Sequence, residues 1–449
     1  MGIFKKKDMH EEDPVTIIGA GLAGCEAAWQ LLNRGHSVVL YEMKPEKFSP
    51  AHRSGSLAEL VCSNSLRSNV SDHAAGLLKE EMRRMDSLIM KAADETSVPA
   101  GKALAVDRHA FSRVIENRLN SFTNLTIIRK EMIEVPSEGI VIIATGPLTS
   151  DGLSHEIARL TDSSYLYFYD AISPIIEGDS IDLEKVFRAS RYDSTGQGDY
   201  LNCPMEKEEY ENFWRELMGA QTVPLRHFED PKYFDGCLPI EVIASRGIST
   251  LVFGPMKPVG ILNPKTGKIP YAVIQLRQEN REATLFNIVG FQTKLTWPEQ
   301  RRIFRKIPGL EEAEFARYGS IHRNTFINAP ALLKPTLQLK KNEHIFFAGQ
   351  ISGVEGYIES TAMGLIAGLS ASAFHRGKAF PPPPPVTAMG ALVNHITSAE
   401  SRNFQPMNIN WGLFPALPQK LKKRERGACH ALRALTSLDR WKSETLREL

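Results

Sequence analysis

Val15-Thr16-Ile17-Ile18-Gly19-Ala20-Gly21-Leu22-Ala23-Gly24 is the stretch on which the fold turns. Its unbroken apolar start reads as a buried parallel strand, and the glycines swing the chain into a helix that ends near Arg34-Gly35. The three glycines differ in mechanical role. Gly19 permits the tight turn, Gly21 lets the backbone approach a pyrophosphate, and Gly24 lets the helix lie close to the strand. The helix start, with Ala20, Leu22 and Ala23, offers N–H groups and a positive dipole end to phosphates. A second strand, Ser37 to Tyr41, stops at Glu42, about twenty residues on, where a carboxylate accepts the ribose hydroxyls. Alone, the hexapeptide could be a structural turn; strand, helix and acid together predict a nucleotide site. NAD, FAD and a methyl donor carrying an adenosine ribose all suit it.

Working outward, the pattern from about Lys79 to Met90 is helical, and an apolar strand from Val141 breaks at Thr145-Gly146-Pro147. From Ile172 to Ile321 the chain grows richer in aromatics, Pro and Gly, with short strand-like runs at Thr250–Phe253 and Ala272–Leu276. Nucleotide-type patterning returns at Ile345-Phe346-Phe347-Ala348-Gly349, followed by Gly353, Gly356, Gly364 and Gly368. The predicted fold class is therefore α/β: a discontinuous Rossmann-like FAD-binding domain (residues 1–172 and 322–449) with an inserted α+β domain (173–321). The strand ending Ala144-Thr145-Gly146 and the strand-glycine-helix unit from Ile345 to Gly368, with Gly349 and Gly356, lean toward FAD: both resemble flavoprotein patterns, and the second would bring backbone N–H groups to the flavin end. Pro381–Pro385 reads as a stiff extended segment separating the core from a closing tail. The basic run there, with Lys420, Lys422, Lys423, Arg424 and Arg426, is expected to be a solvated extension.

A chain of 449 residues that is 42% hydrophobic can bury two or three cores, and a net charge of +2 means that any nucleic-acid surface must be local. Arg301, Arg302, Arg305 and Lys306 have the helical spacing for one, although a solvated helix face reads the same way. The five cysteines lack CxxC or Cys/His ligand spacing, which argues against a metal site and a disulfide framework and for a reducing cytoplasm. No signal-like or membrane-length apolar run is visible, so no membrane partner is expected, and a monomer is the simplest assembly.

Two thiols have neighbours that could make them chemical. Cys62 lies in Val61-Cys62-Ser63-Asn64-Ser65-Leu66-Arg67, where Ser or Asn could cap a helix and Arg67 could lower the thiol pKa. Cys237 lies in Asp235-Gly236-Cys237-Leu238-Pro239, a sequence suited to a fixed loop. Spacing leaves each open as either a nucleophile or a small buried hydrophobe. Cys25, just past the glycine turn, reads as core packing, and nothing flanking Cys203 or Cys429 singles them out.

These segments, with Val98-Pro99-Ala100-Gly101, Ala144-Thr145-Gly146-Pro147-Leu148-Thr149-Ser150, Tyr200–Met205, Phe253–Gly260, His322-Arg323-Asn324-Thr325 and Gly353-Val354-Glu355-Gly356-Tyr357, closely resemble the folate- and FAD-dependent tRNA (uracil-5-)-methyltransferase (TrmFO) family, from about Val15 to Phe414. The resemblance implies methylation of the T-loop uracil-54 in the T-arm of tRNA. It implies 5,10-methylenetetrahydrofolate as carbon donor, FAD as methylene carrier and reductant, and NADH or NADPH as electron source. It gives Cys237 the role of nucleophile toward uracil C6 and Cys62 that of the second thiol, helping to remove the C5 proton. It sets His322, Arg323, Asn324 and Tyr357 around the flavin and pterin rings, and makes Lys257 a candidate for folate or phosphate contact. The tail after Phe414 inherits no family role, and relatives that modify rRNA share the motifs. A wobble-uridine-modifying flavoprotein would be expected to carry a long C-terminal helical domain, for which little chain remains after Gly368. A plain flavin reductase would need no paired thiols, and a non-catalytic RNA or folate binder would be indifferent to Cys237→Ala.

Overall fold

The computed structural model describes residues 13–162, 166–191, 198–224, 238–401, 404–419 and 421–446, giving the backbone alone at 166–170, 322–323 and 423. Its central sheet has the strand order Gln338–Leu339, Asn342–Phe347, Val141–Ile143, Val15–Ile18, Val38–Glu42, Leu125–Arg129. All neighbours are parallel except the first pair, which is antiparallel. Val141, Ile142 and Ile143 are wholly buried, as a strand covered on both faces must be, and this is why these strands read as unbroken apolar runs. Asn342–Phe347 joins the sheet beside Val141–Ile143, so the first domain is closed by chain from the far side of the insertion. The helix Leu22–Leu32 lies against the long helix Tyr357–His375. A methyl group on Gly364 would sit 2.2 Å from the Ala23 carbonyl oxygen, and one on Gly368 would sit 2.8 Å from that of Ala27. Small residues on both helices let the two backbones touch.

A second core is built on the antiparallel sheet Phe187–Ala189, Tyr200–Met205, Ala272–Gln278, Leu285–Ile288, Ile175–Glu177, Phe315–Arg317. The helices Lys207–Met218 and Trp297–Phe304 cover it with Tyr210, Phe213, Ile303 and Phe304, all fully buried. The ribbon pairing Leu166–Ile172 with Ser320–Phe326 carries the chain into this module and back, and the boundaries expected at 172 and 321 fall on it.

Four sequence expectations are corrected. Thr250–Phe253 is a helical turn with Leu251 buried and Phe253 exposed; four residues are too few to reveal a period. The helix expected from Lys79 to Met90 is two helices, Ala74–Arg84 and Leu88–Glu95. They are divided at Asp86, whose φ of 63° ends the first, and Ser87, whose side chain accepts from the Met90 amide at the start of the second. The polyproline segment does not end the core, since the helix Ala388–Ser398 behind it buries Met389, Leu392 and Ile396 in the first core. The basic run is solvated as expected, with Lys422, Arg424 and Arg426 exposed, but it is no extension: it opens the helix Lys423–Thr445, which buries Ala431, Ala434, Leu438 and Trp441 on one stripe. Trp441 Nε1 donates to the Pro381 carbonyl at 3.0 Å, and Arg84 pairs with Asp439 at 2.7 Å.

Candidate active site

In the glycine turn, two glycines are required by the protein itself, and the third faces open space. Gly19 has φ +100°, and a Cβ there would lie 2.7 Å from the Ala144 carbonyl; a Cβ on Gly24 would lie 1.8 Å from the Gly19 carbonyl. A Cβ on Gly21 would meet nothing within 4 Å. Ala20, Leu22 and Ala23 are buried behind the turn. The buried Glu42 accepts from the amides of Ala20 (3.2 Å) and Lys44 (3.0 Å), which fixes its carboxylate at the mouth of the turn. These groups, with Thr145 and Ser150, wall a cavity of about 620 Å³. Thr145 Oγ1 bonds Thr149 Oγ1 at 2.6 Å, and the left-handed Gly146 (φ +69°) turns the chain away.

A second cavity of about 880 Å³ shares Leu148 with the first. Its walls include Cys62, Arg67, Asn324, Gln350, Gly356, Tyr357 and Asn408. Gly356 (φ +110°) starts the helix Tyr357–His375 without a side-chain cap, as Gly21 starts Leu22–Leu32. Two helix starts whose N–H groups are uncapped by side chains thus border two adjoining cavities. Gly349 (φ +81°) leads into that second helix, and a Cβ on it would press against Ala23 at 2.9 Å. This arrangement fits a long two-ended dinucleotide such as FAD, with its adenosine at Glu42, its diphosphate over Gly21 and its ring system toward Gly356.

The loop bearing Cys62 is held from several sides. Tyr357 Oη accepts from the Cys62 amide at 2.8 Å. Arg108 donates to the carbonyls of Leu60 and Cys62, the latter at 2.8 Å, and pairs with the buried Glu279 at 2.8 Å. Arg277 donates to Ser63 Oγ (2.6 Å) and Asn64 Oδ1 (2.9 Å), while Asn64 Nδ2 donates to Gln278 O (3.0 Å). Burial, reinforced by the nearby Cys62, pushes the Tyr357 phenol far above its ordinary range, so it stays a neutral O–H donor. Burial pulls Arg317 down, and its guanidinium reaches the Ala51 carbonyl at 3.3 Å, on the wall of the second cavity.

The expected surroundings of Cys62 need correcting. Ser63 and Asn64 cap no helix; they lead into the strand Ser65–Ser68. Arg67, at φ +64°, pairs at 2.5 Å with Glu359, a fully buried carboxylate whose pKa burial raises and whose second oxygen has no hydrogen-bond partner. A buried carboxylate claims the nearest cation, so Arg67 is not committed to the thiol.

Of the other candidates, Asn324 is buried in the wall of the second cavity. His322 and Arg323 lie on the same strand, opposite Asp170 and Tyr169, with side chains outside the described atoms. Cys237 lies outside the described residues, which resume at Leu238. Lys257 is exposed in the turn after Thr250–Phe253 and belongs to neither cavity wall. Cys25 and Cys203 are buried, and burial raises both thiols far beyond reach. Sequence reading missed Arg108, Arg277, Glu279, Glu359, Gln350 and Asn408, which carry no local motif and meet the site only through the fold. Among the described residues, no cluster of three His, Cys, Asp or Glu could hold a metal ion, and no helix is long and apolar enough to cross a membrane.

A parallel sheet with an open glycine turn, a buried acid at the end of the neighbouring strand and a second uncapped helix start defines the class: an α/β flavoprotein-type dinucleotide-binding fold with an α+β insertion. Residues 14–379 match the family described as glucose inhibited division protein A. Two solved structures of Aquifex aeolicus GidA share the fold, with TM-scores of 0.68 and 0.67 at 18% and 17% identity; they cover 95% and 96% of this chain, which spans 75% and 74% of theirs. A curated relative from Syntrophus aciditrophicus, methylenetetrahydrofolate–tRNA-(uracil-5-)-methyltransferase TrmFO, is 76% identical over 98% of this chain and 100% of its own. Its namesake from Geobacter sulfurreducens is 60% identical over 95% and 98%. The chain belongs to the TrmFO family.

Proposed function

We propose that this protein methylates C5 of a uracil in tRNA, the T-loop uracil-54, with 5,10-methylenetetrahydrofolate as carbon donor and NAD(P)H as electron source. The observation that carries the reading is the thiol of Cys62 on the wall of a cavity that adjoins the dinucleotide cradle, in a chain 76% identical to a relative of that name. FAD, when bound, supplies the redox chemistry and carries the one-carbon unit. Gly19 to Gly24 and Glu42 hold its adenosine diphosphate end, Thr145 and Gly146 turn the chain beside it, and Gly349, Gly356 and Tyr357 border the flavin end.

The chain's own residues then act on the pyrimidine. Uracil C5 is a poor nucleophile until the Cys237 thiolate adds to C6, which moves the electron pair to C5 as an enolate that bonds to the one-carbon unit. Cys62, fixed by Tyr357 and Arg108, takes the C5 proton, and that electron pair expels the carrier to leave an exocyclic methylene at C5; a hydride drawn from NAD(P)H would add to that methylene to make the methyl group, as the double bond shifts to C5–C6 and expels the Cys237 thiolate. Asn324, with His322 and Arg323 on the same strand, orients the pterin. The exposed position of Lys257 suits a phosphate rather than the folate ring. The inserted module, residues 173–321, contributes the nucleophile and closes over the pyrimidine. The chemistry belongs to the cytoplasm, where tRNA and reduced folate meet.

The test is incubation with unmodified tRNA transcript, NADPH and 5,10-methylenetetrahydrofolate labelled in its methylene carbon, followed by RNA digestion and mass spectrometry. Label in T-loop 5-methyluridine is expected. Label in rRNA fragments alone would reassign the substrate, and no label despite bound, reducible FAD would leave a flavin reductase. Cys237→Ala and Cys62→Ala are each expected to lose methyl transfer by at least about 10²-fold while retaining FAD, read by its visible absorbance.

A further inference from the structure

On the outer face of the inserted module, three aromatic rings form a near-parallel stack. Tyr318 stacks on Phe315 (centroids 5.1 Å apart, 15° between planes) and on Trp297 (5.4 Å, 16°). Trp297, at the end of the stack, is 58% exposed. The stack borders an open groove of about 960 Å³ with Arg301, Arg302 and Arg305 on its walls.

The groove's charges are not equivalent. Arg302 is tied to Glu216 and Glu299, Arg305 to Glu314, and Lys306 to Glu216. Arg301 alone of these four cations is bound to a ring instead of a carboxylate: its Nε donates to Tyr318 Oη at 3.0 Å, and its guanidinium lies 5.9 Å from the ring centroid. Its remaining donors and its charge stay available to an anion beside the exposed indole. An open aromatic face with a guanidinium at its edge that is paired to no carboxylate matches the two halves of an unpaired nucleotide, a flat base and a phosphate. The chain itself links this surface to the site. Arg317 turns inward to the Ala51 carbonyl on the wall of the Cys62 cavity, and the next residue, Tyr318, belongs to the outer stack.

We propose that Trp297 is a stacking platform for one unpaired base of the tRNA substrate, with Arg301 on its phosphate, holding a nucleotide near the target uracil while that uracil enters the cavity. The proposal rests on the tRNA reading above and deepens it. Trp297→Ala, Trp297→Phe and Arg301→Gln are compared with the wild type as FAD-loaded proteins, measuring KM for tRNA transcript, kcat for methyl transfer and NADPH-driven flavin reduction without RNA. Trp297→Ala is expected to raise KM for tRNA about tenfold with kcat and flavin reduction unchanged, and Trp297→Phe to recover most of that loss. Arg301→Gln should raise KM and flatten its dependence on salt. A wild-type KM in Trp297→Ala overturns the platform and leaves the methyltransferase reading standing. A wild-type protein that neither binds nor methylates tRNA overturns both, and a change of oligomeric state in Trp297→Ala with tRNA affinity intact would make this face a protein interface.

Discussion

Gly21 and Gly24 are three residues apart and answer to different masters. A methyl group on Gly24 collides with the Gly19 carbonyl, whereas one on Gly21 meets no protein atom within 4 Å. Gly24→Ala is therefore expected to destabilise the whole domain, with much of the protein insoluble. Gly21→Ala should leave the melting temperature of the FAD-free protein unchanged while FAD binding weakens at least about tenfold, since the added methyl occupies the place of the diphosphate. Thermal melts and flavin titration separate the two. Arg108 carries a different kind of load, because among the described residues it is the cation hydrogen-bonded to the buried Glu279, with Arg277 adding only a longer-range attraction. Arg108→Ala strands that carboxylate and is expected to cost about 3–5 kcal/mol in urea denaturation. Arg108→Lys should recover only part of this, for a single ammonium cannot serve two carbonyls and a carboxylate in the planar geometry of the guanidinium.

Between elements, one tie in the first domain is a buried carboxylate. Glu81, on the helix Ala74–Arg84, accepts from the amides of Ala388 (2.6 Å) and Met389 (2.9 Å) and so caps the helix Ala388–Ser398. Burial pushes its carboxyl up to about 8 against the pull of those two amides. A folded-state pKa raised above the unfolded value means that the group's contribution is complete below about pH 4.5 and is lost as pH rises through 8. The stability difference between wild type and Glu81→Gln, whose amide does not titrate, is thus expected to shrink from pH 5 to pH 8 and then level off. Melting temperatures across that range check it; a constant difference would mean that Glu81 keeps one charge state throughout. The closing helix Lys423–Thr445 was legible at this scale, since Ala431, Ala434, Leu438 and Trp441 repeat at helical spacing, but the basic run before them drew attention to charge instead.

Across the whole molecule, the two cores meet at the loop that bears Cys62. Arg277 and Gln278 from the inserted sheet hold Ser63 and Asn64, and Tyr200 Oη and Asp199 hold Ala100 and Gly101. The Cys62 loop is thereby clamped by the module that also bears Cys237 and Trp297. Arg277→Met keeps the bulk of the side chain and removes its donors. Hydrogen exchange of the amides from 62 to 66 is expected to quicken at least about tenfold, with the strands Val15–Ile18 and Val141–Ile143 unaffected. Unchanged exchange at 62–66 would show that Tyr357 and Arg108 suffice.

The sequence by itself determined the glycine turn, the acid at Glu42, the two-part closure of the first domain and the family, because each is written within a few neighbouring residues as a period, a turn chemistry or a motif. It could not tell a helical turn from a strand at Thr250–Phe253, where four residues have no period. Only the tertiary structure decided that Arg67 serves Glu359, that Arg108 finds Glu279 across 171 residues, and that Trp297 ends a stack on Tyr318. Such pairings are set by which elements the cores bring together and by the cost of leaving a buried charge alone, and neither is written in the residues beside them.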